Sequence, residues 1–207
     1  ITLILSVVIF IALISYSNYG VERAIRTALF NCISLQTTTG YVSDNYMCWF
    51  KPLFFVLSFL MFTGACSGST SGGFKSIRIL IVFKTGIAHF KRLLHPNAIL
   101  PVHINHVPIQ DGLERNILAF LFWTIVLTIT GAILLCCTGL PLLDSTSISL
   151  SCVNNIGPTL GNVYGPLNDF SSLPEISKWI CSFLMLAGRL EIFALFLPMT
   201  SSFWKRV

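Results

Sequence analysis

Charge is what this 207-residue chain has least of: Asp, Glu, Lys and Arg make up 10% of it, against 54% hydrophobic residues. An ordinary soluble domain carries about 25% charged residues, so the balance points to a membrane protein. No G-x-S-x-G or H-E-x-x-H occurs, which removes the usual membrane hydrolases and leaves a non-enzyme as the expectation. No C-x-x-C occurs among the seven cysteines. Cys32, Cys66, Cys136, Cys137, Cys152 and Cys181 lie in or beside apolar runs and read as small buried hydrophobes, with Cys48 near a loop. His103-x-x-His106 has a metal-ligand spacing but no third ligand nearby. No basic stretch precedes the first apolar run, so Ile1 reads as a cut inside a helix rather than a signal peptide, and the chain as a piece of something longer.

Long apolar segments are present. Ile117 to Leu143 runs for 27 residues without a charge, enough for a tilted span. Ile176 to Thr200 is apolar except for Lys178, Arg189 and Glu191, and Thr2 to Tyr16 is apolar but short. Eight basic residues, Lys75, Arg78, Lys84, Lys91, Arg92, Arg115, Lys205 and Arg206, fall in connections that the positive-inside rule assigns to the cytoplasm. The expected path goes out through Thr2–Tyr16, in through Pro52–Phe83, out through Ile117–Cys137 and in through Ile176–Thr200.

Two segments between these spans are too short or too polar to cross. Gly20 to Tyr41 and Asp144 to Pro158 each read as a short helix followed by a Gly-containing extended piece, with Asp144 available as an N-cap. Non-helical backbone at membrane depth is tolerated only against protein or a water-filled cavity. The order repeats: "SFLMFTG" (Ser58–Gly64) matches "SFLMLAG" (Ser182–Gly188) at five of seven positions, and a polar Gly segment precedes each. Thr38, Thr39, Gly40 and Tyr41 in one copy, and Asn154, Asn155, Ile156 and Gly157 in the other, offer carbonyls and hydroxyls without a carboxylate. Carbonyl rings of that kind replace the hydration shell of a monovalent cation, and the C-terminal end of a short helix aimed at it adds a favourable dipole.

The stretch "GACSGSTSGGFKS" (Gly64–Ser76) breaks what would otherwise be one helix. Pro52 to Phe83 is 32 residues, about 48 Å if helical, so an unbroken helix is not required to cross about 30 Å of hydrocarbon. A phosphate loop is a poor reading, because Phe74 spoils the G-x-x-x-x-G-K-[ST] spacing and a membrane span, not a strand, precedes it.

"TTTGY", "NNIGP", "GSTSGGFKSIRILIVFK", "HPNAILPV" and "GRLEIF" together resemble the Trk/Ktr/HKT superfamily of potassium transporters, over the whole chain. The resemblance implies an all-α membrane protein with two M1–pore helix–M2 repeats and re-entrant filter segments, half of a four-repeat potassium-channel-like pore. It implies a third repeat at 1–92, a cytoplasmic linker at 93–112 and a fourth repeat at 113–207. The eight filter residues above would line the K⁺ path. Gly64, Gly68, Ser69, Thr70, Ser71, Gly72 and Gly73 would form an intramembrane gate loop, with Arg189 projecting towards it below the filter. K⁺ is the implied cargo and no organic cofactor is expected. Implied partners are membrane lipid, a second copy of the full-length subunit and a cytosolic nucleotide-binding regulatory ring subunit, with no nucleic acid. The location would be multi-pass in the bacterial inner membrane. Two other classes are weighed: a secondary transporter coupling K⁺ or Na⁺ to H⁺, for which Glu191 is the one membrane carboxylate, and a scaffold subunit without transport, against which the paired Gly segments argue.

Overall fold

The computed structural model describes residues 2–17, 19–65, 68–69, 72–94, 103–104, 107–108, 112–190 and 204. Among these, seven α-helices carry the fold: α1 (Thr2–Ser17), α2 (Val21–Gln36), α3 (Leu53–Phe62), α4 (Ser76–Leu94), α5 (Leu113–Cys137), α6 (Leu142–Asn154) and α7 (Glu175–Arg189). Two pairs of two-residue strands complete it. β1 (Thr63–Gly64) pairs in parallel with β2 (Phe74–Lys75), and β3 (His103–Ile104) pairs antiparallel with β4 (Val107–Pro108).

Helix α2 buries Ala24, Thr27, Ala28, Asn31, Cys32 and Leu35, residues three or four apart that share one face. That face packs with Ile9 and Leu13 of α1 and Leu53, Leu57 and Leu60 of α3. Ile156 and Leu160, which follow α6, seat in the same core, so the two halves of the chain share it. A second core joins Leu135 of α5, Ile148 and Cys152 of α6, and Cys181 and Leu184 of α7. A third stacks Phe74 and Ile81 against Ile117 and Phe120 of α5, and the Arg78 guanidinium lies 4.4 Å from the Phe120 ring centre.

The surface is apolar and the interior is partly polar. Leu118, Phe122, Ile125, Ile129 and Ile133 of α5 are exposed, whereas Ser145, Ser147, Ser149 and Ser151 of α6 are buried. The hydroxyls of Ser145, Ser147 and Ser149 use backbone carbonyls as partners, Ser149 that of Thr128 at 2.7 Å. Where Ser149 meets α5, the helices approach so closely that a side chain on Gly131 would strike it, the small-residue packing of membrane helices. An outward apolar belt suits hydrocarbon and would be costly in water. The chain is an all-α membrane protein in this sense, with α5 the one described helix long and apolar enough to cross a bilayer by itself.

Several expectations need correction. The broken span resumes at Ser76 and runs to Leu94, well past Phe83, because the basic residues of α4 continue its helical pattern. Helix α5 begins at Leu113, four residues before the uncharged run, with Glu114 in its first turn, where the helix dipole favours an anion. Of the cysteines, Cys32, Cys152 and Cys181 are buried, but Cys48, Cys136 and Cys137 are exposed; Cys66 lies outside the described residues. The second half of the Ile176–Thr200 span, Glu191, His106 and "HPNAILPV" also lie outside them.

Asp144 is not the N-cap of its helix. Pro141 holds that position, and Asp144 sits in the first turn, 1% exposed. Its carboxylate accepts from the backbone N–H groups of Val163 at 3.2 Å and Tyr164 at 3.4 Å. The residue thus ties the start of α6 to the loop that follows the second Gly segment. Asp144→Ala would leave those donors without their acceptor and should destabilise the protein by about 1–3 kcal/mol. A thermal unfolding midpoint measured in detergent should fall, and an unchanged midpoint would show that the tie is dispensable.

Candidate functional site

Helices α2 and α6 end alike. Neither has a basic residue in its last turn, so the partial negative charge of each C-terminus is left uncompensated. Beyond each end the backbone adopts the same alternation. Thr38 has φ 55° and Gly40 φ 79°; Asn155 has φ 55° and Gly157 φ 109°. A left-handed residue, an intervening residue and a left-handed glycine therefore follow both helices. In an ordinary strand successive carbonyls point to opposite sides. Alternating the sign of φ turns successive peptide planes so that their carbonyls face one side, which a cation site needs. A side chain at Gly40 or Gly157 would be strained by φ alone.

A serine anchors each segment. The Ser34 carbonyl accepts from Thr39 N–H at 3.0 Å, and the Ser151 carbonyl accepts from Ile156 N–H at 3.0 Å. The Ser34 hydroxyl donates to the Tyr41 carbonyl at 2.6 Å, and the Ser151 hydroxyl accepts from Gly157 N–H at 3.1 Å. The sequence reading missed both serines, although both stand six residues before the glycine. Tyr41 is engaged through its carbonyl by Ser34, while its ring is 71% exposed.

The structure brings the two segments together. A side chain on Gly40 would collide with the Ile156 carbonyl and lie 3.1 Å from the Pro158 ring. Beyond them, the Tyr46 hydroxyl donates to the Thr159 carbonyl at 3.2 Å. Gly157 faces open space, and Thr39 and Tyr41 are exposed, so the paired segments keep one open side.

The Gly/Ser break meets both segments at one point. Gly72 N–H donates to the Thr38 hydroxyl at 3.3 Å, and the Gly72 Cα lies against the Asn154 carbonyl, where a side chain would not fit. Gly64 packs on the Gly72 carbonyl, with 2.5 Å left for a Cβ, and Gly73 faces the Asn154 side chain. Gly68 stands in the open and Ser69 is half-buried; Thr70 and Ser71 lie outside the described residues. The base of the break is closed by Ser76, whose hydroxyl donates to the Gly64 carbonyl at 2.7 Å. Gly188 on α7 abuts the Val153 carbonyl, one residue before the end of α6, and Arg189, the last residue of α7, follows it in the chain.

Two buried acceptors at the ends of α2 and α6, Gln36 Oε1 and Asn154 Oδ1, have no hydrogen-bond partner among the described residues. Gln36 gave no signal in the sequence, since a glutamine closing an amphipathic helix is ordinary. No group of three or more His, Cys, Asp or Glu suited to a metal occurs among the described residues. Any cation at this site would meet neutral oxygens and helix ends.

Comparison with known proteins gives this architecture a family. The chain is 35% identical to a Trk system potassium uptake protein TrkH of Halomonas elongata over 190 residues, 92% of this chain and 39% of that protein. It is 34% identical to the Escherichia coli K12 protein of the same name over 87% of this chain and 37% of that one. Its fold matches the crystal structure of the potassium transporter TrkH from Vibrio parahaemolyticus with a TM-score of 0.91 and 32% identity, covering 99% of this chain and 43% of that one. The chain thus spans about two fifths of the length of these relatives. The TrkH family, described as cation transport proteins, matches residues 1–205, and the chain belongs to that family.

Proposed function

We propose that this chain supplies two of the repeats of a potassium-uptake pore in the bacterial inner membrane, with 38–41 and 154–157 lining the ion path and the 64–73 loop gating it. The observation that carries the reading is the meeting of Gly72 with both Thr38 and Asn154. One small-residue segment touches both carbonyl-bearing segments, so a movement of it would alter the path on both sides at once. The names of the relatives, potassium uptake proteins, support K⁺ as the cargo. Residues 1–92 form the third repeat, 93–112 a cytoplasmic linker and 113–207 the fourth. The open side beside Gly157 suits the first two repeats of a whole subunit. Such a subunit would work as a homodimer with a nucleotide-binding ring on the basic cytoplasmic face.

The glycines of the two filter segments separate in their expected effects. An alanine costs about 1–2 kcal/mol at either through its positive φ, but only Gly40→Ala also collides with the Ile156 carbonyl. With the full natural subunit in proteoliposomes, both variants should lose discrimination of K⁺ from Na⁺. Gly40→Ala should lower K⁺ uptake further than Gly157→Ala, by about tenfold. Unchanged K⁺ to Na⁺ ratios in well-folded variants would remove 38–41 and 154–157 from the ion path.

The loop and Arg189 generate a second outcome. A fixed positive charge near a low-dielectric path repels K⁺ by an amount that can reach several kcal/mol. Deleting Gly68–Ser71 should therefore raise K⁺ flux per folded protein, and Arg189→Ala should raise it too, each by about tenfold. The double variant should fall short of the product, because both groups act on one constriction. Flux unchanged or reduced in folded Arg189→Ala would assign that side chain to holding helices together.

A further inference from the structure

An apolar groove of about 640 Å³ runs along α4, away from the paired Gly segments. Its walls are Phe59 and Phe62 of α3, Phe74, and Phe83, Ile87 and Phe90 of α4, and almost no polar atom lines it. Three features mark it as built rather than incidental. Gly86 lines it with nothing within 4 Å of where a Cβ would be, so a bulky side chain there would extend into the open groove. A mid-helix glycine costs about 1 kcal/mol relative to alanine, and α4 carries it there. Lys91 lines the far end, in the last turn of α4, and Lys84 lies seven residues earlier on the same stripe with its ammonium on the His103 carbonyl at 2.9 Å. The lining residues of α4, from Ile79 to Leu94, extend about 22 Å, longer than the roughly 15 Å of hydrocarbon in one leaflet.

We infer that this groove holds one acyl chain of an anionic phospholipid, with the headgroup phosphate on Lys91. An apolar channel long enough to take the acyl chain of one leaflet, with a cation near its boundary end, matches the two chemistries of such a lipid. The site also reaches the Gly/Ser break, since Phe62 immediately precedes β1 and Phe74 opens β2, and their rings stack 5.8 Å apart. A lipid tail there packs on both flanks of the 64–73 segment. The binding site itself stands whether or not that segment gates ions.

Native mass spectrometry of the full natural protein in detergent, titrated separately with phosphatidylglycerol and phosphatidylcholine, tests this. Phosphatidylglycerol should be retained about fivefold better, the worth of one lysine near an anionic headgroup. Gly86→Phe, or the smaller filler Gly86→Leu, should abolish retention of both lipids at this site. Gly86→Ala, which leaves the groove open and favours the helix, should keep it and so serves as the folding control. Lys91→Gln should erase the preference, and Lys91→Arg should restore it. Equal retention of the two lipids by the natural protein would overturn the inference. So would a preference that survives Gly86→Phe, or a protein that retains neither lipid because another segment of its own chain fills the groove.

Discussion

Peptide groups that leave a helix inside a bilayer have no water to turn to, and the structure is organised around that shortage. The chain leaves helical geometry after α2, after α3 and after α6. After α2 and α6 the freed N–H groups return to a serine one turn back, Ser34 or Ser151. After α3 the chain closes a short parallel pairing, Thr63 with Phe74 and Gly64 with Lys75, and Ser76 fastens its base. The repairs after α2 and α6 are local and rest on a single serine each. What the repairs leave over is a set of carbonyls gathered at the ends of α2 and α6.

That arrangement also explains the inverted interior. A helix whose end must come close to another segment cannot carry bulk there. Serine and glycine line α6 and its neighbours, and Gly131 and Gly188 let α5 and α7 touch it. The large side chains go outward to hydrocarbon or inward to three clusters, the first of which takes in Ile156 of the second Gly segment.

Charge is handled by the same logic. Asp144 is buried, and it sits at the positive end of α6 with two backbone donors on it. Arg78 is placed over an aromatic face. The remaining cations of α4 lie along its surface, beside an apolar groove. Near the paired Gly segments the groups described are neutral oxygens and the C-terminal ends of α2 and α6.

Much of this was legible in the sequence. The scarcity of charge gave the membrane class, since only an apolar surface tolerates hydrocarbon. The polar interruptions at Thr37–Gly40 and Asn154–Gly157 marked where helices end, because glycine after a helix is a local signal. The matched "SFLM" segments pointed to an order of elements that occurs twice. Tertiary structure alone decided the rest. Asp144 looked like a cap because capping is local, but its partners Val163 and Tyr164 come from a loop twenty residues on. Ser34 and Ser151 were invisible as anchors, because nothing in a serine's neighbours says where its hydroxyl points. That Gly72 would lie between Thr38 and Asn154 follows from three helices packing together. Such contacts join residues 34 and 82 positions apart, and no periodicity within one segment records a distance of that kind.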